Sequence, residues 1–158
     1  MTTTQTHPQP QTQTHTHPSS GASPARSTAV DRFLNAVRQA SFSTADDLYA
    51  VGVVLDATVP GWRYTVHGDT GVRAEYGRWF NATSDLPELT RHSTASGEVI
   101  EYVATWEEDG VEHAGHHAHV LTIDPNTDRI VEDHVWCGGR WPAPLLAEMA
   151  AARLVETG

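Results

Sequence analysis

Two stretches near the end of the chain decide its fold: 112-EHAGHHAHVLTI-123 and 129-RIVEDHVWC-137. In both, apolar and polar residues alternate with period two. That is the mark of a strand with one buried face. Between them, Asp124-Pro125-Asn126-Thr127-Asp128 is turn chemistry, so the pair reads as a long antiparallel hairpin. Register then sorts the side chains. His113, Gly115, His117, His119, Leu121 and Ile123 share one face of the first strand. Val131, Asp133, Val135 and Cys137 share one face of the second, leaving Ile130, Glu132, His134 and Trp136 on the other. The faces ending in Leu121/Ile123 and in Val135/Cys137 are the apolar ones, and they predict a concave interior.

Working backwards, Glu98 to Glu107 and Leu89 to Ala95 also alternate, and Glu108-Asp109-Gly110 is a hairpin signal. Trp62 to His67 reads as a short strand after the Pro60-Gly61 break. Helical spacing marks three segments before the long strands. Val30, Phe33, Leu34 and Val37 follow a cap at Ser27 or Thr28. Leu48, Val51 and Leu55 follow Asp46 and Asp47, and Val72, Tyr76, Trp79 and Phe80 form the third. Trp141 to Val155 predicts a closing helix. Helices interleaved with one short strand, then an antiparallel meander, specify an α+β domain: a curved, cone-shaped sheet packed on N-terminal helices.

That domain is expected over residues 26–158. Residues 1–25 are a Thr/Gln/His/Pro tract with His7, His15 and His17, too polar to offset their ordering entropy, and predict a disordered tail. The net charge of −10, with ten arginines scattered among twenty acids and no lysine, excludes a nucleic-acid binder. No apolar stretch is long enough for a membrane span. A single cysteine, Cys137, and an N-terminus without a secretory pattern point to the cytoplasm.

The chemistry concentrates on His117, His119 and Asp133, which the register directs into one pocket. A carboxylate beside an imidazole fixes its tautomer and raises its basicity, the arrangement that general acid–base catalysis needs. The same three residues also form a two-histidine, one-carboxylate donor set for a divalent transition metal. A histidine pair serves equally well as the wall of a pocket that only binds. Trp62, Tyr64, Trp79 and Tyr102 have the size to line an aromatic ligand cavity, with Leu121, Val135 and Cys137 beside them. Whether Trp62/Tyr64/Val66 or Arg63/Thr65/His67 faces inward is open from sequence.

The segments 54-VLDATVPGWRYTVHGDTGVRAEYGRWF-80 and 119-HVLTIDPNTDRIVEDHVW-136, with the paired first helices, resemble the nuclear transport factor 2-like superfamily, close to its SnoaL-like polyketide cyclase branch. The resemblance covers about residues 28–137. It implies a deep, mostly apolar pocket acting on a small, hydrophobic, oxygenated molecule such as a polyketide or terpenoid, in secondary metabolism and without an organic cofactor. Aligned on 128-DRI-130, His119 falls where isomerase-type members carry a proton-donating acid, and Asp133 falls at an inward polar position. His119, oriented by Asp133, would then shuttle a proton, while His117 and His67 hold the substrate oxygen and stabilise an enolate. The Asp-Arg-Asp set of the epoxide hydrolases is missing, and Trp62 to His67 holds no aspartate to act as an isomerase base. The outward Val120, Ile130 and Trp136 suggest a homodimer through the outer sheet face.

Overall fold

A computed structural model describes residues 28–156. The tail with His7, His15 and His17, and the alternative cap Ser27, lie outside the described residues. Helix α1 (Thr28–Gln39) and a short 3-10 turn (Phe42–Thr44) lead into β1 (Tyr49–Val59) and β2 (Trp62–His67). Helix α2 (Asp69–Trp79) precedes β3 (Thr83–Ser93), β4 (Gly97–Glu108), β5 (Val111–Asp124) and β6 (Arg129–Cys137). A two-residue strand β7 (Trp141–Pro142) and helix α3 (Ala143–Glu156) complete the described chain. The strands form one curved sheet in the order β2-β1-β6-β5-β4-β3, with β7 added to β5. All neighbours are antiparallel except β1 and β6, which run parallel.

The expected second helix is instead β1. Leu48, Val51 and Leu55 have helical spacing, but 49-YAVGVVLDATV-59 is rich in β-branched residues, which favour an extended chain, and carries Gly52, which weakens a helix. From Val53 onward its burial follows the strand period, with Val53, Leu55 and Ala57 buried; before that the pairing with β6 shifts register, and Val51, which a helix would have turned inward with Leu48 and Leu55, is 84% exposed. Because β1 exists, β6 has a parallel neighbour and does not end the sheet as the last strand of a meander.

Local chemistry sets the turns and the edge. Asp109 and Gly110 both have positive φ, at 52° and 75°, as a two-residue hairpin with right-handed strand twist requires. Gly97 opens β4 because a Cβ there would lie 1.9 Å from the Leu121 carbonyl oxygen. Strand β3 starts earlier than Leu89 and is an edge strand. Its pairing slips around Pro87, which has no N–H to give.

One bulge repositions the final hairpin. Thr122 pairs with Glu132, but Ile123 pairs with Ile130, so Val131 is the extra residue. Ile130 is therefore fully buried and not outward as the simple alternation implied, while Asp133 and Val135 keep their inward direction. Val120 and Trp136 stay exposed on the outer face.

Helix α1 lays Val30, Phe33, Leu34 and Val37 across the concave face. There Phe33, Phe42, Tyr76, Phe80 and Tyr102 form an aromatic core, with Phe33 edge-on to both Phe42 and Tyr76 at 5.6 Å between centroids. A buried Arg91–Glu98 pair at 2.8 Å, with Arg91 also reaching Asp31 of α1, ties the helix to β3 and β4. Phe33→Ala should lower the unfolding free energy by about 3–5 kcal/mol. Val51→Ala should change it by less than about 0.5 kcal/mol. Urea denaturation of the two variants checks both values, and a costly Val51→Ala would contradict the strand assignment.

Candidate functional site

The interior is organised by a carboxylate. Asp133 on β6 has no solvent exposure, and neither has His119 on β5. His119 Nδ1 lies 2.9 Å from Asp133 Oδ1, and the Tyr76 hydroxyl donates to Oδ2 at 2.5 Å. On the far side of the imidazole, Nε2 is 3.0 Å from the Tyr102 hydroxyl. A carboxylate only accepts, so Nδ1 carries the hydrogen and the Tyr102 hydroxyl donates to Nε2. Burial, and next the charge of Asp133, holds the phenols of Tyr76 and Tyr102 well above the usual tyrosine range. They remain donors. The result is a closed line, Tyr76–Asp133–His119–Tyr102, that joins α2, β6, β5 and β4. Phe33 caps it edge-on, 5.0 Å from the His119 ring centroid.

His117 has different surroundings, although it points to the same side of β5. It is 5% exposed and lies on the wall of a cavity of about 570 Å³. Val59, Trp79, Phe80, Ala104, Trp106 and Cys137 also line this cavity. Its Nδ1 donates to the Gly115 carbonyl at 3.2 Å, and its ring stacks on Tyr102 at 5.2 Å and 18°. Phe80 stands 5.2 Å away. Burial, and then the neighbouring His119, pulls the His117 pKa down from 6.5 to about 3, so the imidazole is neutral. Cys137 sits directly across the strand pair from His117, and burial raises its thiol pKa.

The sequence-derived site residues therefore separate into three groups. His117, Trp79 and Cys137 meet at the cavity. His119, Asp133, Tyr102, Leu121 and Val135 lie behind it in the core. Tyr64 is partly buried on the inward side of β2, where its hydroxyl donates to Glu75 at 2.6 Å. Trp62 is on the same side but is 68% exposed at the strand end. His67 is exposed on the opposite face, so Trp62/Tyr64/Val66 is the inward set and His67 is remote from the cavity.

Sequence reading missed several residues. Glu75, buried on α2, accepts from the Trp79 indole at 3.0 Å and pairs with Arg78, fixing Trp79 against the cavity. Trp106 follows Tyr102 and Ala104 on the inward parity of β4, a signal that was available. Arg140 stacks over Trp106 at 5.3 Å and pairs with Glu108 at the mouth. Tyr76 had only the spacing of a core aromatic. Both His119 nitrogens are engaged by protein groups. Among the described residues, no three His, Cys, Asp or Glu side chains converge on a metal position. Nor is any described helix long and apolar enough to cross a membrane.

By sequence, the chain matches no protein-family model and no curated protein. Its architecture does have likenesses among solved structures. A Catenulispora acidiphila hypothetical protein with a ketosteroid isomerase-like fold, solved with trimethylamine, superposes with TM-score 0.56 at 13% identity, over 72% of this chain and 88% of that one. An LEH-like epoxide hydrolase from M. tuberculosis gives 0.51 at 17%, over 70% and 80%. A Kribbella flavida protein gives 0.54 at 19%, over 85% and 99%. The chain thus has the ketosteroid isomerase-like fold, the architecture of the nuclear transport factor 2-like proteins.

The depressed His117 pKa links folding to pH. An unfolded histidine titrates near 6.5 and folded His117 near 3, so between those values the unfolded chain holds more protons. The stability contributed by a neutral His117 is complete above pH 6.5 and falls as pH drops toward 3, by at most about 1.4 kcal/mol per pH unit. His117→Phe should flatten the urea midpoint against pH in this window, relative to the parent chain. Parallel curves would show that His117 titrates normally.

Proposed function

We propose that the chain is a small-molecule enzyme of the acid–base type, taking a hydrophobic, oxygenated substrate into the cavity beside His117. The observation that carries this reading is a neutral imidazole with an anchored Nδ1, set beside Trp79, Phe80 and Trp106 in the wall of a cavity large enough for a multi-ring molecule. Polyketide or terpenoid intermediates have the matching size and polarity, in keeping with the SnoaL-like branch and with secondary metabolism. The epoxide hydrolase among the fold neighbours supports small-molecule chemistry on this scaffold.

In this reading His117 is the catalytic residue. Its Nε2 takes a proton from a substrate hydroxyl, or from a carbon next to a carbonyl, and returns it at another atom of the same substrate. With so weak a base, the imidazolium is a strong acid that gives the proton back readily. This suits isomerisation, cyclisation or dehydration. His119, Asp133 and Tyr102 are positioning residues: they hold the phenol ring on which His117 stacks. No organic cofactor has a part in this chemistry. A metal-dependent enzyme using His117, His119 and Asp133 would need the His119 hydrogen bonds to be broken first. The lone cysteine is in keeping with a cytoplasmic setting. A second copy of the chain packing over Trp136 and Val120 is the proposed macromolecular partner.

The fully satisfied His119–Asp133 pair also fits a second reading, a pocket that binds without converting. Incubation with oxygenated polyketides and terpenoids, read by mass spectrometry, separates the two. Turnover should fall about 10²–10⁴-fold in His117→Phe while binding persists. It should show no histidine-like inflection between pH 5 and 8. Saturable binding with no product over long incubation would favour the binding module, and full turnover by a folded His117→Phe would remove His117 from the chemistry.

A further inference from the structure

The position of the hydrogen on His117 restricts what the cavity recognises. A backbone carbonyl can only accept, so the contact from Nδ1 to the Gly115 oxygen, at 3.2 Å, places the hydrogen on Nδ1. A neutral ring then presents a bare lone pair at Nε2. Among the described residues no group hydrogen-bonds to Nε2. Nor does Nε2 belong with the polar atoms that are both sealed and unpartnered, which are Arg32 Nε and the Tyr49 hydroxyl oxygen. It is therefore open to the cavity that His117 lines.

Several of the lining side chains leave this acceptor unopposed. Phe80, Ala104 and Val59 bring no hydrogen-bonding side chain, and the Trp79 indole N–H is spent on Glu75. Cys137 brings a thiol, a weak donor, and its sulfur already accepts from the Gly139 N–H at 3.4 Å. Of the donors on the lining, Arg78 and Arg140 are paired with Glu75 and Glu108, while the Trp106 indole N–H, the Asn81 amide and the Thr83 hydroxyl have no protein partner among the described residues and can serve other parts of a ligand. At His117 itself the exposed group is an acceptor, and a ligand hydroxyl matches it. A carbonyl or ether oxygen there would face a lone pair.

We infer that His117 reads its ligand through an accepted hydrogen bond, so that the cavity selects molecules with a phenol, enol or alcohol hydroxyl at the inner end over isosteres ending in a carbonyl or ether oxygen. This rests on the cavity being the ligand site, and it replaces the enolate-holding role expected of His117 with an acceptor role. The hydroxyl engaged is also the group whose proton Nε2 is placed to take.

Two measurements on the full chain test it. The first is the imidazole nitrogen NMR spectrum of the ¹⁵N,¹³C-labelled parent chain at pH 7, with His117 assigned through its backbone connectivities. Hydrogen on Nδ1 and a lone pair at Nε2 are expected. Hydrogen on Nε2 would overturn the inference and leave the ligand-site reading intact. The second is the affinity of a matched probe pair, 2-naphthol and 2-methoxynaphthalene, by titration calorimetry. About a tenfold preference for the naphthol is expected, from one net hydrogen bond, and it should vanish in His117→Phe. Equal affinities, or a preference that survives in His117→Phe, would overturn the inference alone. Failure of both probes to bind would overturn the inference and the ligand-site reading together. The nitrogen spectrum of the parent chain decides the tautomer whether or not His117→Phe folds.

Discussion

A carboxylate with no access to water sets the terms for this structure. Removing an ion such as Asp133 from water costs several kcal/mol, and only well-placed donors offset that cost. Both of its oxygens are met, by His119 from the neighbouring strand and by Tyr76 from helix α2. For His119 to reach it, β5 and β6 must hold their register through the Val131 bulge. For Tyr76 to reach it, α2 must lie across the concave face at the height where Phe33 and Phe42 pack against it. The hydrogen bonds and the aromatic packing therefore constrain the same elements. Losing either would loosen the other.

Two histidines on one strand face end in different environments because the sheet curves and the helices cover only part of it. Helix α1 brings Phe33 over His119 and closes that end, while His117 is left where α2 ends in Trp79 and Phe80 and the cavity begins. Tyr102 connects the two: its hydroxyl serves His119 and its ring carries His117. The buried line thus positions the cavity wall without touching a ligand.

Much of this was legible in the sequence because alternation over long strands leaves little freedom. Once 112–123 and 129–137 are strands, His117, His119 and Asp133 must share a face. The failures have local causes. The stretch from Leu48 to Leu55 satisfies both helical and strand spacing, and β-branched content with a parallel partner in β6 decided for the strand. Ile130 turned inward because of one extra residue that no pattern announces. Tyr76 as a partner of Asp133, the sealing of His119, and the mouth formed by Trp106 and Arg140 all depend on how distant elements dock, and spacing does not encode that. Trp62 and His67 have the right residue types, but they lie at the end of β2 and on its outer face.

The whole arrangement turns on the Asp133 carboxylate accepting the His119 Nδ1 hydrogen in an interior that excludes water. The most direct measurement is the downfield proton NMR spectrum of the ¹⁵N-histidine-labelled chain in water at pH 7. A strongly deshielded, slowly exchanging imidazole proton on His119 is expected, and it should disappear in Asp133→Asn. A folded protein with no such resonance, or one in which the proton exchanges as fast as on a solvent-exposed histidine, would contradict it.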